Sequence, residues 1–371
     1  MGSPNGRLGL VLSGGGARGA FQIGVYERLA EDQRFAGRRM VLSGTSAGAV
    51  NAALIAAGRS PDEMMRFWDE LAADLPVAVT SRIIESVVRT VAKLTLNESQ
   101  NWSGALRAWG YFVRRAWERF PPWPGRLLGT GLEYLLTDRF DLLSDFVDDL
   151  ATPSLVDTAR LRDRLVHALG ERMRTDVHDL AISAVDVGTR KVVRFVSRGC
   201  PVRESAEYVV PDGGITVDML LASASIPVLF PPAKVGTRLF WDGGLLGNTP
   251  LAPVVALGAT EIVTVLVTEL AQHASALERL GGALERAVDT LLESSYESDR
   301  KLLLERNRLA RRGVTEYQQV TLYKPIRPGA DADLDVGAFL HFDRDAMRKL
   351  RAAGRRAAER FLADPDPQDR L

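Results

Sequence analysis

The sequence predicts an α/β protein in which helices wrap a sheet of mainly parallel strands. Two short apolar runs, Leu8 to Ser13 and Met40 to Ser43, each end at a glycine turn and precede a segment that reads as a helix. Short apolar runs of this kind are typical of buried parallel strands. Two successive strand–turn–helix units therefore indicate a parallel sheet covered by helices.

The first two helices are predicted directly behind these strands. The segment Ala20 to Asp32 has apolar side chains at helical spacing, and Ala47 to Ala57 is rich in alanine and apolar almost all round, which is typical of a buried helix. From about Pro61 to Asp176 the pattern changes to long amphipathic helices without strands.

Strands and helices alternate again after this helical region. The next two strands flank Asp186-Val187-Gly188-Thr189, a sequence typical of a hairpin turn. The strands are predicted at 180–185, 191–196, 239–241, 261–267 and 320–323. The helices are predicted at 217–225, 250–257, 275–310 and 343–362.

Composition excludes several classes of function. Among 371 residues the 47 Lys and Arg balance the 47 Asp and Glu, which argues against nucleic acid as a partner. The single cysteine, Cys200, excludes an intramolecular disulfide and a thiolate zinc site. Because no apolar run approaches the ~20 residues of a spanning helix, a cytoplasmic protein is expected.

Gly44-Thr45-Ser46-Ala47-Gly48 fits the nucleophile-elbow pattern, in which a sharp strand-to-helix turn exposes a serine hydroxyl. The flanking glycines remove side chains that would clash, and the N–H of Ala47 faces a developing oxyanion. The alternative is a tight turn with an incidental serine. The position after an apolar strand and before a buried helix favours the elbow.

The glycine-rich segment Gly14-Gly15-Gly16-Ala17-Arg18-Gly19 also follows a strand. It satisfies a dinucleotide-binding pattern, but the second strand ends without the acidic residue that would hold a ribose. The preferred interpretation is an oxyanion hole made of unencumbered backbone N–H groups. Arg18 has two open roles, a positive charge near the site or a lock on the loop.

A general base is predicted at Asp242, which ends a short apolar strand in Trp241-Asp242-Gly243-Gly244. The same Asp-Gly-Gly sequence occurs at Asp212, in a stretch bounded by proline, and there it indicates a plain turn. Burial beside Trp241 is expected to raise the pKa of Asp242 toward a value useful for a base.

Together these motifs resemble the patatin-like phospholipase family, from Leu8 to about Leu362. The glycine loop, the elbow and Asp242-Gly243-Gly244 carry the resemblance in the family's order. Three further stretches support it: Ala222 to Pro227, Phe230-Pro231-Pro232 and Asn248-Thr249-Pro250. The chain departs from the pattern at Asn248, where the family often has two asparagines, and at Ser225, which replaces a common alanine.

The resemblance implies a three-layer α/β/α sheet with a helical insert after the nucleophile elbow, in a single catalytic domain over 1–371. It implies a Ser46–Asp242 dyad without histidine that cleaves fatty-acyl esters of phospholipids or other acyl esters. No metal or other cofactor is required. The alternative of another class is a catalytically weak lipid-binding or regulatory protein on the same scaffold.

The helical region 61–176 is expected to be an insert or lid, and 275–371 a C-terminal helical extension. Within the insert, residues 82–126 contain eight basic residues against three glutamates, and four of the six tryptophans fall between Trp102 and Trp123. Aromatic and basic side chains on one helix suit a membrane interface. The interpretation as ordinary core aromatics and solvated arginines stays open.

Overall fold

A computed structural model describes residues 6–74, 157–268, 280–329, 332 and 343–368, apart from positions 174, 176, 198, 200, 201 and 203. The chain divides into two compact units, Met1–Val77 with Thr158–Leu371, and Ala78–Asp157. The first unit contains all the helices and strands of the described residues. Most of the predicted insert, including 82–126, lies outside the described residues, so the lid and the membrane contact stay predictions.

The helices are α1 (Gly19–Ala30), α2 (Ala47–Ala56), α3 (Pro61–Asp74), α4 (Ala159–Leu169), α5 (Val217–Ala224), α6 (Leu251–Ala256), α7 (Leu280–Arg311) and α8 (Arg344–Ala363). A short 3-10 turn, Gly16–Arg18, directly precedes α1. Another, Gly243–Leu245, directly follows Asp242. None of the helices in the described ranges is long and apolar enough to cross a bilayer.

The strands are β1 (Leu8–Leu12), β2 (Met40–Gly44), β3 (Asp179–Asp186), β4 (Val192–Val196), β5 (Tyr208–Val209), β6 (Ala233–Val235), β7 (Arg238–Asp242), β8 (Glu261–Val265) and β9 (Thr321–Leu322). They form one sheet in the order β5-β4-β3-β2-β1-β8-β9, to which β7 and β6 add beside β3. The central strands β3, β2, β1 and β8 are parallel, whereas β4 and β7 run antiparallel to β3.

Alternate residues of the central strands face two separate apolar cores. Leu10 and Leu42 belong to one core, with side chains of α1, α2, α3, α5 and α8. Val11 and Val41 belong to the other core, with side chains of α6 and α7. Because successive side chains of a strand point to opposite faces, the sheet is a middle layer between two helical layers. The predicted three-layer α/β/α architecture is confirmed.

β3 brings the ends of β2 and β7 together. Its first half pairs with β2, as far as Ile182 opposite Gly44. Its second half pairs with β7, where Ala184 lies opposite Asp242. Ala184 also pairs with Val193 of β4, which occupies the other edge of β3. β7 therefore pairs with the same edge of β3 as β2, beyond the point where the β2 pairing ends. The residues that follow β2 and those that end β7 therefore meet.

The predicted elements agree with the observed ones to within a few residues at their ends, and the antiparallel hairpin of β3 and β4 is confirmed. The short strands β5 and β6 were not predicted, because two or three residues are too few to show a period. The α8 segment packs closely along α1, since a Cβ on Gly354 would meet the carbonyl of Phe21.

Candidate active site

Ser46 lies at the sharp turn between β2 and α2 in a strained backbone conformation. Its φ of 54° and ψ of −128° fall where L-residues are rarely found, at a typical cost of about 1–3 kcal/mol. The turn is tight enough that a Cβ on Gly48 would meet the carbonyl of Leu12, and one on Gly44 would meet that of Gly48. This is the geometry expected of a nucleophile elbow.

The neighbouring chain holds Ser46 in this conformation. Its backbone N–H donates to both the carbonyl and the hydroxyl oxygen of Ser223, at 3.1 and 3.0 Å. The Ser223 hydroxyl in turn donates to the carbonyl of Ser183, at 2.7 Å. Ser223 is fully buried and joins the elbow to α5 and β3. From the sequence, Ser223 belongs only to a stretch that supports the family resemblance, without a role of its own.

Asp242 ends β7 and is 5% exposed. Its carboxylate oxygen Oδ1 accepts a hydrogen bond from the N–H of Gly244 at 2.7 Å, while Oδ2 has no hydrogen-bond partner among the described residues. A Cβ on Gly243 would meet the carbonyl of Ser183, which explains the first glycine of the motif. By contrast, Asp212 is exposed in a turn.

Burial raises the pKa of Asp242 from the usual 3.8 to about 6, because the charged form loses its hydration. The Gly244 N–H and, more weakly, the Ser46 hydroxyl lower the pKa in part. Trp241 is the preceding residue of β7, so its side chain and that of Asp242 alternate to opposite faces of the sheet. Because the Ser46 hydroxyl affects this pKa, it lies close to the Asp242 carboxylate. The carboxylate is about half ionised near pH 6.

The glycine loop between β1 and α1 presents unused backbone donors. In the described part of the chain, the N–H groups of Gly15, Gly16, Ala17 and Ala47 donate to no acceptor. Gly16 has a φ of 55°, a conformation that favours glycine. Ala47 begins α2, so its N–H carries the positive end of the helix dipole.

Other residues of the predicted oxyanion hole use their N–H groups elsewhere. The N–H of Gly14 donates to the carbonyl of Asn248 at 3.2 Å, and that of Arg18 to the carbonyl of Gly15 at 3.2 Å. The N–H of Gly19 donates to the carbonyls of Gly16 and Ala17 in the preceding 3-10 turn. In this structure the N–H groups of Gly14, Arg18 and Gly19 therefore hold the loop in shape, and the predicted oxyanion hole stays a prediction.

The guanidinium of Arg18 is buried rather than solvated. Its side chain is 2% exposed and forms an ion pair of 2.9 Å with Asp289 of α7. Of the two roles that the sequence left open, this contact supports the lock on the loop.

Asn248 ties the loop after Asp242 to the glycine loop. Its Nδ2 donates to the carbonyl of Gly14 at 3.3 Å, and its carbonyl accepts the N–H of Gly14. Its own N–H donates to the hydroxyl of Ser295 at 3.2 Å. From the sequence, Asn248 counts only as part of a stretch that supports the family resemblance and as a departure from the family's pattern, without a structural role. Asp289 and Ser295 had no signal, because α7 reads as an ordinary charged amphipathic helix.

Within the described residues, no cluster of three or more His, Cys, Asp or Glu side chains is placed to hold a metal ion. The candidate site combines a strained serine, a buried aspartate and a set of backbone donors on an α/β sheet. These are the components of an α/β protein with a serine elbow.

The comparison with known families agrees with this architecture. The model of the patatin-like phospholipase family matches residues 10–255, which include the end of β1, the glycine loop, Ser46 and Asp242. The chain belongs to the patatin-like phospholipase family.

A curated relative is the cGAMP-activated phospholipase of Pseudomonas aeruginosa (strain BWHPSA011 / Pa011), which is 30% identical over 167 residues. The match covers 40% of this chain and 46% of the relative, so it spans about half of that protein's length.

Among solved structures, VipD from Legionella pneumophila aligns over 95% of this chain and 67% of its own, with 16% identity and a TM-score of 0.38. The type III effector protein ExoU aligns over 97% of this chain and 53% of its own, with 18% identity and a TM-score of 0.35. The ExoU–SpcU complex from the type III secretion system of Pseudomonas aeruginosa aligns over 98% and 53%, with 16% identity and a TM-score of 0.31.

Proposed function

We propose that this chain is a serine lipid acyl hydrolase that cleaves fatty-acyl esters of phospholipids or related lipids. The observation that carries the proposal is the juxtaposition of Ser46, held at a strained elbow, with the buried carboxylate of Asp242. Membership of the patatin-like phospholipase family supports a lipid substrate.

The reaction would begin when Asp242 accepts the hydroxyl proton of Ser46 and Ser46 Oγ attacks the ester carbonyl. Negative charge then develops on the carbonyl oxygen. The N–H groups of Gly15, Gly16 and Ala47, which donate to no acceptor in the described residues, are the candidate donors that would stabilise it. Donors already fixed in the folded chain need no reorganisation as the charge appears.

Collapse of the tetrahedral intermediate would transfer the proton from Asp242 to the departing alkoxide and leave an acyl group on Ser46. A water molecule then attacks the acyl-enzyme after losing its proton to the same carboxylate. Release of the fatty acid returns the proton to Ser46. A carboxylate with a pKa of about 6 suits both directions of this proton transfer, because it is mostly ionised at neutral pH yet more basic than an exposed aspartate.

The experiment is hydrolysis of a chromogenic fatty-acyl ester by the wild type, Ser46→Ala and Asp242→Asn, with Asp212→Asn as the matched control. Asp212 sits in the same Asp-Gly-Gly sequence but is exposed. Loss of activity in the first two variants but not in the control would support the dyad. An unchanged rate in Ser46→Ala would overturn it.

Fluorophosphonate labelling followed by intact mass identifies the nucleophile independently of turnover. One adduct is expected on the wild type and none on Ser46→Ala. A folded wild type that neither labels nor hydrolyses the ester or phospholipid vesicles would instead favour a non-catalytic lipid-binding protein.

A further inference from the structure

Helix α7 lies outside the 10–255 range that matches the family, yet it contacts both loops of the candidate active site. Asp289 of α7 forms an ion pair with Arg18 of the glycine loop. Two turns further along the same helix, the hydroxyl of Ser295 accepts the N–H of Asn248 from the loop that follows Asp242. One helix thus supports the two sides of the site.

We propose that Asp289 and Ser295 are positioning residues. They hold the glycine loop and the loop from Asp242 to Asn248 (the Asn248 loop) in the arrangement that the reaction needs. The inference rests on the proposed function. It adds a third element, outside the family-matched range, to the two motifs that carry the chemistry.

Arg18 of the glycine loop carries a buried charge. Its side chain is 2% exposed, so its charge must be compensated inside the protein, and Asp289 supplies a carboxylate at 2.9 Å. Arg18 is two residues from Gly16, whose N–H is a candidate oxyanion donor. Fixing the guanidinium on α7 therefore fixes the direction of that donor.

The Asn248 loop provides the second contact between α7 and the site. Ser295 accepts the Asn248 N–H, and Asn248 in turn exchanges two hydrogen bonds with Gly14. Gly14 lies against the nucleophile, since a Cβ there would come within 3.1 Å of the Ser46 Cβ. A displacement of α7 would consequently reach the glycine loop from both of its ends.

A third contact fixes the same stretch of α7. Glu293 accepts a hydrogen bond from the hydroxyl of Thr268, just after β8, at 2.8 Å and forms an ion pair of 3.0 Å with Arg327. Asp289, Glu293 and Ser295 therefore anchor the same two turns of α7 near the carboxyl ends of β1 and β8, where the glycine loop begins.

The test compares Asp289→Asn and Ser295→Ala in the full chain with two control variants of the same helix. Glu305→Gln is the control for the first, because Glu305 is exposed and pairs only with the exposed Arg308 in the described residues. Ser298→Ala is the control for the second, because its exposed hydroxyl donates only to the carbonyl of Ser294 there.

We expect each positioning variant to lower kcat by roughly tenfold to a hundredfold with less than a twofold change in KM, the range seen when a donor or reacting group is misplaced. Asp289→Glu should recover part of the lost kcat, because it restores the carboxylate. Both controls should keep the wild-type kcat.

Two outcomes overturn the proposal. One is a wild-type kcat in Asp289→Asn with only a lower melting temperature, which would make the ion pair merely structural. The other is additivity in the cycle of Arg18→Ala, Asp289→Ala and the double variant, since residues acting through one contact lose little more together than singly.

Hydrogen exchange separates this proposal from the proposed function. The amides of residues 14–19 should exchange at least tenfold faster in Asp289→Asn than in the wild type or Glu305→Gln. This measurement needs no turnover. If the wild type proves inactive but the amides of Asp289→Asn still exchange faster, the positioning role stands while the hydrolase assignment fails. Unchanged exchange in Asp289→Asn would rule out the positioning role.

Discussion

Gly14 and Asn248, 234 residues apart, are joined by two hydrogen bonds. The Gly14 N–H donates to the Asn248 carbonyl at 3.2 Å, and the Asn248 side-chain amide donates to the Gly14 carbonyl at 3.3 Å. Gly14 has no room for a side chain, because a Cβ there would meet Asn248 Oδ1. The pair links the glycine loop to the loop that follows Asp242.

This link predicts that Asn248→Ala is impaired in both stability and activity. The variant leaves the Gly14 carbonyl without its donor in a buried place, which typically costs about 1–3 kcal/mol. We expect kcat to fall by at least tenfold because the glycine loop shifts. Denaturant unfolding and ester hydrolysis measure the two effects, with the exposed amide variant Gln33→Ala as control. A wild-type kcat in Asn248→Ala would contradict the role of the pair.

The raised pKa of Asp242 predicts the pH dependence of the rate. If its carboxylate is the base, kcat/KM on a neutral ester should fall as the pH is lowered through about 6, where the group takes up its proton. Product is measured by chromatography, since chromogenic leaving groups titrate in the same range. Circular dichroism across the pH series checks that the chain stays folded. A profile that is flat down to pH ~4.5 would exclude a base with this pKa.

The same pKa shift predicts that Asp242→Asn is more stable than the wild type above pH 6. The folded chain raises this pKa from 3.8 to about 6, so folding favours the protonated form. The favourable contribution is fully present below pH 3.8 and is lost as the pH rises through 6. A shift of about two units corresponds to ~3 kcal/mol at 1.36 kcal/mol per unit.

Asparagine stays neutral and keeps an oxygen for the Gly244 N–H, so the stability difference should be largest near pH 8 and vanish near pH 4. Urea unfolding at several pH values measures it. Asp212→Asn, on the exposed copy of the motif, should show no such gap, and an equal gap there would remove burial as the cause.

The strained backbone of Ser46 predicts an inverted order of alanine and glycine variants. With φ at 54° and ψ at −128°, Ser46→Ala keeps the Cβ that causes the strain, whereas Ser46→Gly removes it. We expect the glycine variant to be more stable by about 1 kcal/mol, although both are inactive. At the helical, exposed Ser298 the order should reverse by about 1 kcal/mol, because glycine there only adds flexibility. If the alanine variant were the more stable one at both positions, strain at the elbow would be ruled out.

The sequence by itself determined the α/β class, the order of the elements and the two motif residues Ser46 and Asp242. These follow from local information, because apolar periodicity and glycine turns act over a few residues. The Asp242 motif was separable from its copy at Asp212 by the strand that precedes it, and the structure shows the first buried and the second exposed. The pairing of β3 then explains why Ser46 and Asp242 meet, since β7 takes the edge of β3 that β2 leaves.

Only the tertiary structure decided which N–H groups remain available and what holds them. Gly14, Arg18 and Gly19 lie in the glycine loop as Gly15 and Gly16 do, but Gly14 donates to Asn248, which no local pattern reveals, and Arg18 and Gly19 donate within the 3-10 turn. Asp289 and Ser295 were equally hidden, because a charged or polar residue on an amphipathic helix looks the same whether it faces solvent or a buried arginine. Long-range contacts such as Arg18–Asp289 exist only after the sheet and its two helical layers have assembled, and a single sequence carries no record of them.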